Sequence, residues 1–208
     1  VQLSVDRQPP PEDDAEAVTG DPFVIDAVAI VPEGRLAGQP VENLRVAFDG
    51  EALDETLRGT LAGSGSIAGE PLALDAAIER DGDEIALSGL DLSIGQARLS
   101  GVLGVSDGIA EGTLSIDAED IAALAALALV DASGAIEGTV ALSGDGGQQD
   151  AAIDLSAADL RYDTIGVGSA DIEADLTDLF GTIGGSAEIE ATAIDAGAVT
   201  VRTLDATA

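Results

Sequence analysis

Three observations predict an all-β fold. First, short apolar runs alternate with Gly, Asp, Glu, Ser or Thr along nearly the whole chain: Leu90, Leu92 and Ile94; Ile85 and Leu87; Leu114 and Ile116; Val140 and Leu142; Ile153 and Leu155. Period-two alternation puts residues i, i+2 and i+4 on one face of a sheet. Second, Gly and Asp punctuate the joins, as at Asp81-Gly82-Asp83, Asp107-Gly108 and Asp145-Gly146-Gly147, and these residues tolerate the positive φ of hairpin turns. Third, the 46% hydrophobic fraction is aliphatic, with 2% aromatics: three Phe, one Tyr and no Trp. A buried aromatic covers roughly 150–250 Å². A core without them is thin, or it is filled by something other than protein.

Taken in order, residues 1–22 divide into an isolated opening strand at 1–6 and an acidic, Pro-rich loop or linker at 8–22, too polar to bury. Residues 23–208 form one continuous β segment, an ordinary length for a single elongated domain. Phe23–Val31 is apolar on both parities, which predicts a strand covered on both faces. Leu44, Val46 and Phe48, then Leu57–Leu61, then Leu72, Leu74 and Ile78, and later Leu99 and Leu103, continue the strand rhythm. One segment breaks it. Asp117-Ala118-Glu119-Asp120 offers an N-cap and acids for a first turn, and the IAALAALALV that follows is built from strong helix formers. A short helix is predicted over 118–130, with Ile121, Leu124, Leu127 and Ala128 on one face, packed on the sheet and plugging one end or edge.

Composition excludes several functions. The chain carries 40 acidic and 8 basic residues, a net charge of −32. Phosphate backbones need clustered Lys and Arg, so nucleic acid is not a partner, and an anionic membrane surface repels the chain. The acidity reads as a solvated outer face that keeps a greasy β-protein soluble. With no His and no Cys, Ser-His-Asp and Cys-His catalysis, imidazole or thiolate metal sites and disulfides all fall away. No enzyme, no cofactor and no metal is expected. Asp81-Gly82-Asp83-Glu84 and Gly144-Asp145-Gly146-Gly147 resemble fragments of calcium loops but lack a twelve-residue ligand pattern or tandem nonapeptides, and hairpin turns explain them better. Gly166-Val167-Gly168 is a strand glycine pair, without the βαβ context of a dinucleotide site. The longest apolar run, Ile121–Val130, is far short of the ~20 residues that span a bilayer. An anchor or export signal is expected to lie outside this chain.

Internal similarity accompanies the alternation. Asp75-Ala76-Ala77-Ile78-Glu79 recurs as Asp150-Ala151-Ala152-Ile153-Asp154, and Gly95-Gln96-Ala97-Arg98-Leu99 as Gly168-Ser169-Ala170-Asp171-Ile172. Repetition of a unit that cannot bury its own apolar face points to a quasi-one-dimensional architecture.

The stretch from Leu87 to Ala208 resembles the C-terminal domain of the TamB family (translocation and assembly module), within the AsmA-like envelope proteins. The likeness is carried by the run from Leu90 to Gly101, the Ala-Leu helix, Gly134–Val140, Ala158–Tyr162, and the stretches Gly168–Ile172 and Asp178–Gly181. The resemblance implies a β-taco: an elongated sheet curled into a trough with an aliphatic interior. It implies a periplasmic location in a Gram-negative bacterium, an inner-membrane anchor in the full-length protein, and a role in moving phospholipid toward the outer membrane. It also implies an outer-membrane barrel of the TamA kind as a partner.

The residues expected to line the trough are Leu44, Val46, Phe48, Ile85, Leu87, Leu90, Leu92, Ile94, Leu99, Leu114, Ile116, Val140, Leu142, Ile153, Leu155, Ile172 and Ile189. Their chemistry suits a path that passes acyl chains without holding any tightly, since each buried methylene contributes ~0.8 kcal/mol. Two other readings stand beside it: a scaffold for translocation and assembly of outer-membrane β-barrel proteins, and a calcium-dependent surface adhesin of stacked sandwiches.

Overall fold

Each alternating run becomes a strand that pairs antiparallel with its neighbours in the chain. The computed structural model describes residues 2–6, 22–36, 38–197 and 199–207. The acidic segment expected at 8–22 lies, apart from Pro22, outside them. The elements in order are β1 (Gln2–Asp6), β2 (Phe23–Leu36), β3 (Gln39–Leu53), β4 (Thr56–Ile67), β5 (Glu70–Asp81), β6 (Glu84–Ile94), β7 (Ala97–Ser106) and β8 (Ile109–Ala118). The helix α1 (Ala122–Leu127) follows, then β9 (Ala132–Asp145), β10 (Gln148–Tyr162), β11 (Ile165–Thr177), β12 (Gly184–Ala196) and β13 (Val199–Thr207). They form one sheet in the order β1 to β13. It is curled and unclosed, an all-β taco-like fold. Among the described residues, stacked sandwich modules, the architecture of the adhesin reading, do not form.

The joins follow turn chemistry. Asp107-Gly108 has φ of 52° and 80°, and Gly146-Gly147 has 60° and 86°. Two consecutive positive φ values make the tight hairpin turn whose twist matches that of the strands. The opening strand is not isolated: β1 pairs with β2 from Gln2↔Ile30 to Asp6↔Asp26. On β2, Val24 stays 46% exposed, so the expectation of a strand covered on both faces fails there. Among the described residues no second layer covers it.

Ile85-Leu87 and Leu90-Leu92-Ile94 are two runs in the sequence but one strand in the fold. A bulge lies between Leu87 and Leu90, where Gly89 takes φ +59°. A bulge adds one residue and restores the phase, so a three-residue spacing keeps both runs on the same side. The repeated segments behave similarly. Their offsets are 75 and 73 residues, yet one joins β5 to β10 and the other joins β7 to β11. They repeat a facing pattern rather than a fixed structural unit.

The helix is shorter than the 118–130 expected. Asp117 and Ala118 belong to β8, and the N-cap is Ile121, which makes no side-chain cap bond. The capping work is done by Asp120, whose Oδ1 accepts from the N–H groups of Ala122 (3.0 Å) and Gly134 (3.3 Å). The buried side also differs. Ile121, Ala123 and Ala126 are buried, whereas Leu127 is exposed. Alanines bring a helix backbone close to a sheet, and the side with the smallest residues is the one that fits the curled surface.

The core sits where α1 meets the sheet. One cluster joins Val41, Ile67, Leu72, Leu92 and Ile94, from β3 to β6, to Ala123 and Ala126. A second joins Ala97 and Ala118 to Ile121, with Ile136 and Leu160 packed against it. Leu124 packs against both. The helix therefore covers the apolar face of the sheet at one set of strand ends. At the opposite ends the apolar side chains are open: Phe23, Leu53 and Ile85 are exposed, as are Phe180 and Ile183 in the β11–β12 connection.

Candidate functional site

In an antiparallel sheet, directly opposed residues share a face. The register can therefore be followed across the sheet as rows. One row runs Ala29, Val46, Gly63, Leu74, Leu92, Leu99, Ile116, Gly138, Leu155, Ile172, Ile189, Ala206, from β2 to β13. Every member is aliphatic or glycine. A second row runs Ile25, Gly50, Gly59, Ile78, Leu87, Leu103, Gly112, Leu142, Ala151, Leu176, Gly185. A third runs Leu90, Gly101, Leu114, Val140, Ile153, Ala174, Ala187. No charged side chain interrupts any of the three.

The seventeen residues singled out in the sequence lie on this one face. Thirteen belong to the three rows. Of the other four, Leu44 opposes Val31, Phe48 opposes Ala27 and Leu61, Ile94 opposes Leu72 and Ala97, and Ile85 opposes Val105. They are not equivalent in exposure. Leu92 and Ile94 are buried in the α1 cluster, most of the others are half-buried, and Ile85 is 45% exposed. Phe48, the one aromatic among them, lies along the surface rather than standing out of it. Its ring occupies the space beside Gly50 and Gly59, where an added Cβ would come within 2.7 and 2.6 Å of Cζ.

From β10 to β13 the opposite face carries ladders of like charges. Asp154 opposes Glu173, which opposes Glu188, and Asp171 opposes Glu190, which opposes Asp205. Like charges directly opposed are destabilising, so the outer face gives up stability for hydration. Arg98 is a local exception. Its Nε and Nη2 donate to the two carboxylate oxygens of Asp91, at 3.0 and 2.5 Å, and this hydrogen bond, then the charge, holds the guanidinium above its ordinary pKa. A surface depression of about 590 Å³ follows the outer row Arg58, Glu79, Ala86, Gly104, Glu111. It is mixed in charge and does not coincide with the aliphatic rows.

Sequence reasoning missed Gln149. It is buried, 2% exposed, where β8 and β9 part beyond their last pair, Gly112↔Leu142. Its amide stands in for the missing ladder. Oε1 accepts from the Ala110 N–H at 2.7 Å, and Nε2 donates to the carbonyls of Ala110 (2.8 Å), Ser143 (2.9 Å) and Asp150 (3.1 Å). A polar residue at an inward position of β10 is the one signal in the sequence that points to it.

A family model described as the TamB N-terminal domain matches residues 56–208. The chain belongs to the TamB family. The match extends the family signature to residue 56, upstream of the Leu87 start read from the sequence, and carries the N-terminal description rather than the C-terminal one expected. No curated protein and no solved structure matches. Family membership makes the chain a segment of a TamB-like envelope protein. Among the described residues, no helix of this TamB-family chain is long and apolar enough to cross a membrane.

Proposed function

We propose that this TamB-family segment is a non-catalytic module of the Gram-negative periplasm whose aliphatic face shields or conducts phospholipid acyl chains between the inner and outer membranes. The observation that carries the reading is the uncharged row from Ala29 to Ala206, apolar at every position across twelve consecutive strands. A surface that only solvates methylenes needs no polar constellation, and at ~0.8 kcal/mol per buried CH₂ a few shielded carbons suffice for capture. The near absence of aromatics favours release. The acidic outer ladder favours hydration of the other side. An inner-membrane anchor outside this chain and a TamA-like barrel at the far membrane belong to the same reading.

The test is lipid extraction and mass spectrometry of the purified protein. Co-purified phospholipid is expected, and it is lost in Leu142→Glu, which sets a carboxylate between Gly112 and Ala151 in the second row. Lipid-free wild-type protein, or a Leu142→Glu variant that retains its lipid, overturns the proposal.

One observation favours a second reading, a scaffold for outer-membrane β-barrel assembly. Among the described residues each strand pairs only with its neighbours in the chain, an order that further strands can extend by edge addition. That role predicts capture of a barrel precursor that survives Leu142→Glu.

A further inference from the structure

The aliphatic face already has one occupant in part of its length, and that occupant is α1. The face is closed beneath the helix and open away from it, both at the far strand ends and at Tyr162 and Ile165 on the helix-side ends of β10 and β11. Ile67 and Ile94, beside the helix, are 0% and 2% exposed, while Ile85, at the far end of the same strand as Ile94, is 45% exposed. The side chains that cover the helix end are Ile121, Ala123, Leu124 and Ala126. They are saturated hydrocarbon, chemically what the proposed function would bring to the same surface.

The helix is built to be held weakly. It has six residues, far below the length at which helices persist unaided. Its N-cap residue makes no side-chain bond, no acidic residue lies in its first turn and no basic residue in its last, so the Asp120 carboxylate is the charge that caps it. Two of its buried residues are alanines, which contribute little apolar area. Its exit is strained: Leu129 sits at φ +59°, a region non-glycine residues seldom occupy, and its side chain is 70% exposed. The anchors are at the entrance, where the Ile121 N–H donates to the Gly134 carbonyl at 2.8 Å and Asp120 bonds Ala122 and Gly134. The segment is thus tied at Ile121 and again at Ala132, which pairs with Tyr162, and between those ties it is short and strained at its exit.

We propose that α1 is a displaceable plug: it occupies the helix end of the aliphatic face with its own side chains, and an incoming alkyl chain takes its place. The inference rests on the acyl-chain reading above and adds to it an internal competitor. A protein whose competent state is only partly populated binds with an affinity reduced by that fraction, so unseating α1 raises affinity.

The experiment uses a pyrene-labelled phosphatidylcholine as the probe, with amide hydrogen exchange as the readout on the wild-type chain. The Ala125, Leu129 and Val130 amides donate to the Ile121, Ala126 and Ala125 carbonyls. Their exchange is expected to accelerate at least tenfold when the probe is bound. In parallel, Ala125→Pro removes the first of those bonds and is expected to bind the probe about fivefold or more tighter, with its sheet content checked by circular dichroism. Probe binding that leaves these amides as protected as before, or better protected, overturns the plug and leaves the acyl-chain reading intact. A folded Ala125→Pro variant that binds no more tightly than wild type does the same. If neither chain binds the probe, the acyl-chain reading itself fails and the plug with it.

Discussion

Replacing Gln149 by glutamate keeps the shape of the side chain and reverses the hydrogen-bonding sense of one arm. Oε1 still accepts from the Ala110 N–H, but the group that donated to the Ala110, Ser143 and Asp150 carbonyls becomes a carboxylate oxygen facing three other oxygens. An uncompensated buried charge costs about 3–5 kcal/mol, against a total stability of about 5–15 kcal/mol for a domain. The penalty depends on pH. The protonated acid can donate to one of those carbonyls and carries no charge, so the folded state raises the pKa of the new carboxyl above its unfolded value of ~4.3. A group whose folded pKa is raised favours folding in its protonated form, so the penalty is small below pH ~4, grows as pH rises through the folded pKa and levels off above it. Gln149→Ala serves as the reference. It strands the Ala110 N–H and C=O at about 1–3 kcal/mol each, in total about 2–6 kcal/mol, with no pH dependence of its own. Urea denaturation of the three proteins at pH 4 and pH 7.5 measures both differences against wild type at the same pH. A Gln149→Glu penalty equal at the two pH values, or below ~1 kcal/mol at pH 7.5, refutes the assignment of Gln149 as the bridge between β8 and β9.

Two further outcomes probe the two faces. Gly138→Ala is expected to destabilise by more than ~2 kcal/mol, because Gly138 holds φ +148° and an added Cβ would lie 2.1 Å from the Asp154 carbonyl oxygen; thermal unfolding checks it, and a neutral result contradicts the close approach of β9 and β10. Glu173→Lys converts two opposed like pairs, with Asp154 and Glu188, into opposite ones and is expected to stabilise by about 1 kcal/mol at low salt, with the gain fading in 1 M salt as the Debye length falls to ~3 Å.

Much of this fold is legible in the sequence because alternation is a local signal that the register then propagates. Leu92, Leu99, Ile116, Leu155, Ile172 and Ile189 sit in one row because each strand carries the same parity into the next hairpin. What was not legible depends on distant neighbours. The bulge at Gly89 breaks the period and reads as a strand boundary until β7 supplies the partner that absorbs it. Gln149 acquires its role only where β8 and β9 separate, which no window along the chain reveals. The helix could be read from its Ala-Leu composition, but its buried side could not. The periodic stripe favours Leu127, whereas the curled sheet accepts Ala123 and Ala126, because close approach there outweighs the area a leucine would bury.

A sheet whose strands pair only with their neighbours in the chain behaves as a linear array, in which stability is a sum of adjacent interfaces and unfolding can begin at either edge and travel. In this molecule α1 ties Val41 and Ile67 to Leu92, Ile94 and, through Leu124, to Ala97, Ala118 and Ile136. These residues come from strands as far apart as β3 and β9. While seated, the helix links parts of the array that hydrogen bonding leaves independent, so the strands it joins are expected to unfold more cooperatively than β11, β12 and β13, which lie outside both clusters. Weakening that link broadens the unfolding transition before it lowers the midpoint, a signature that separates lost cooperativity from lost stability.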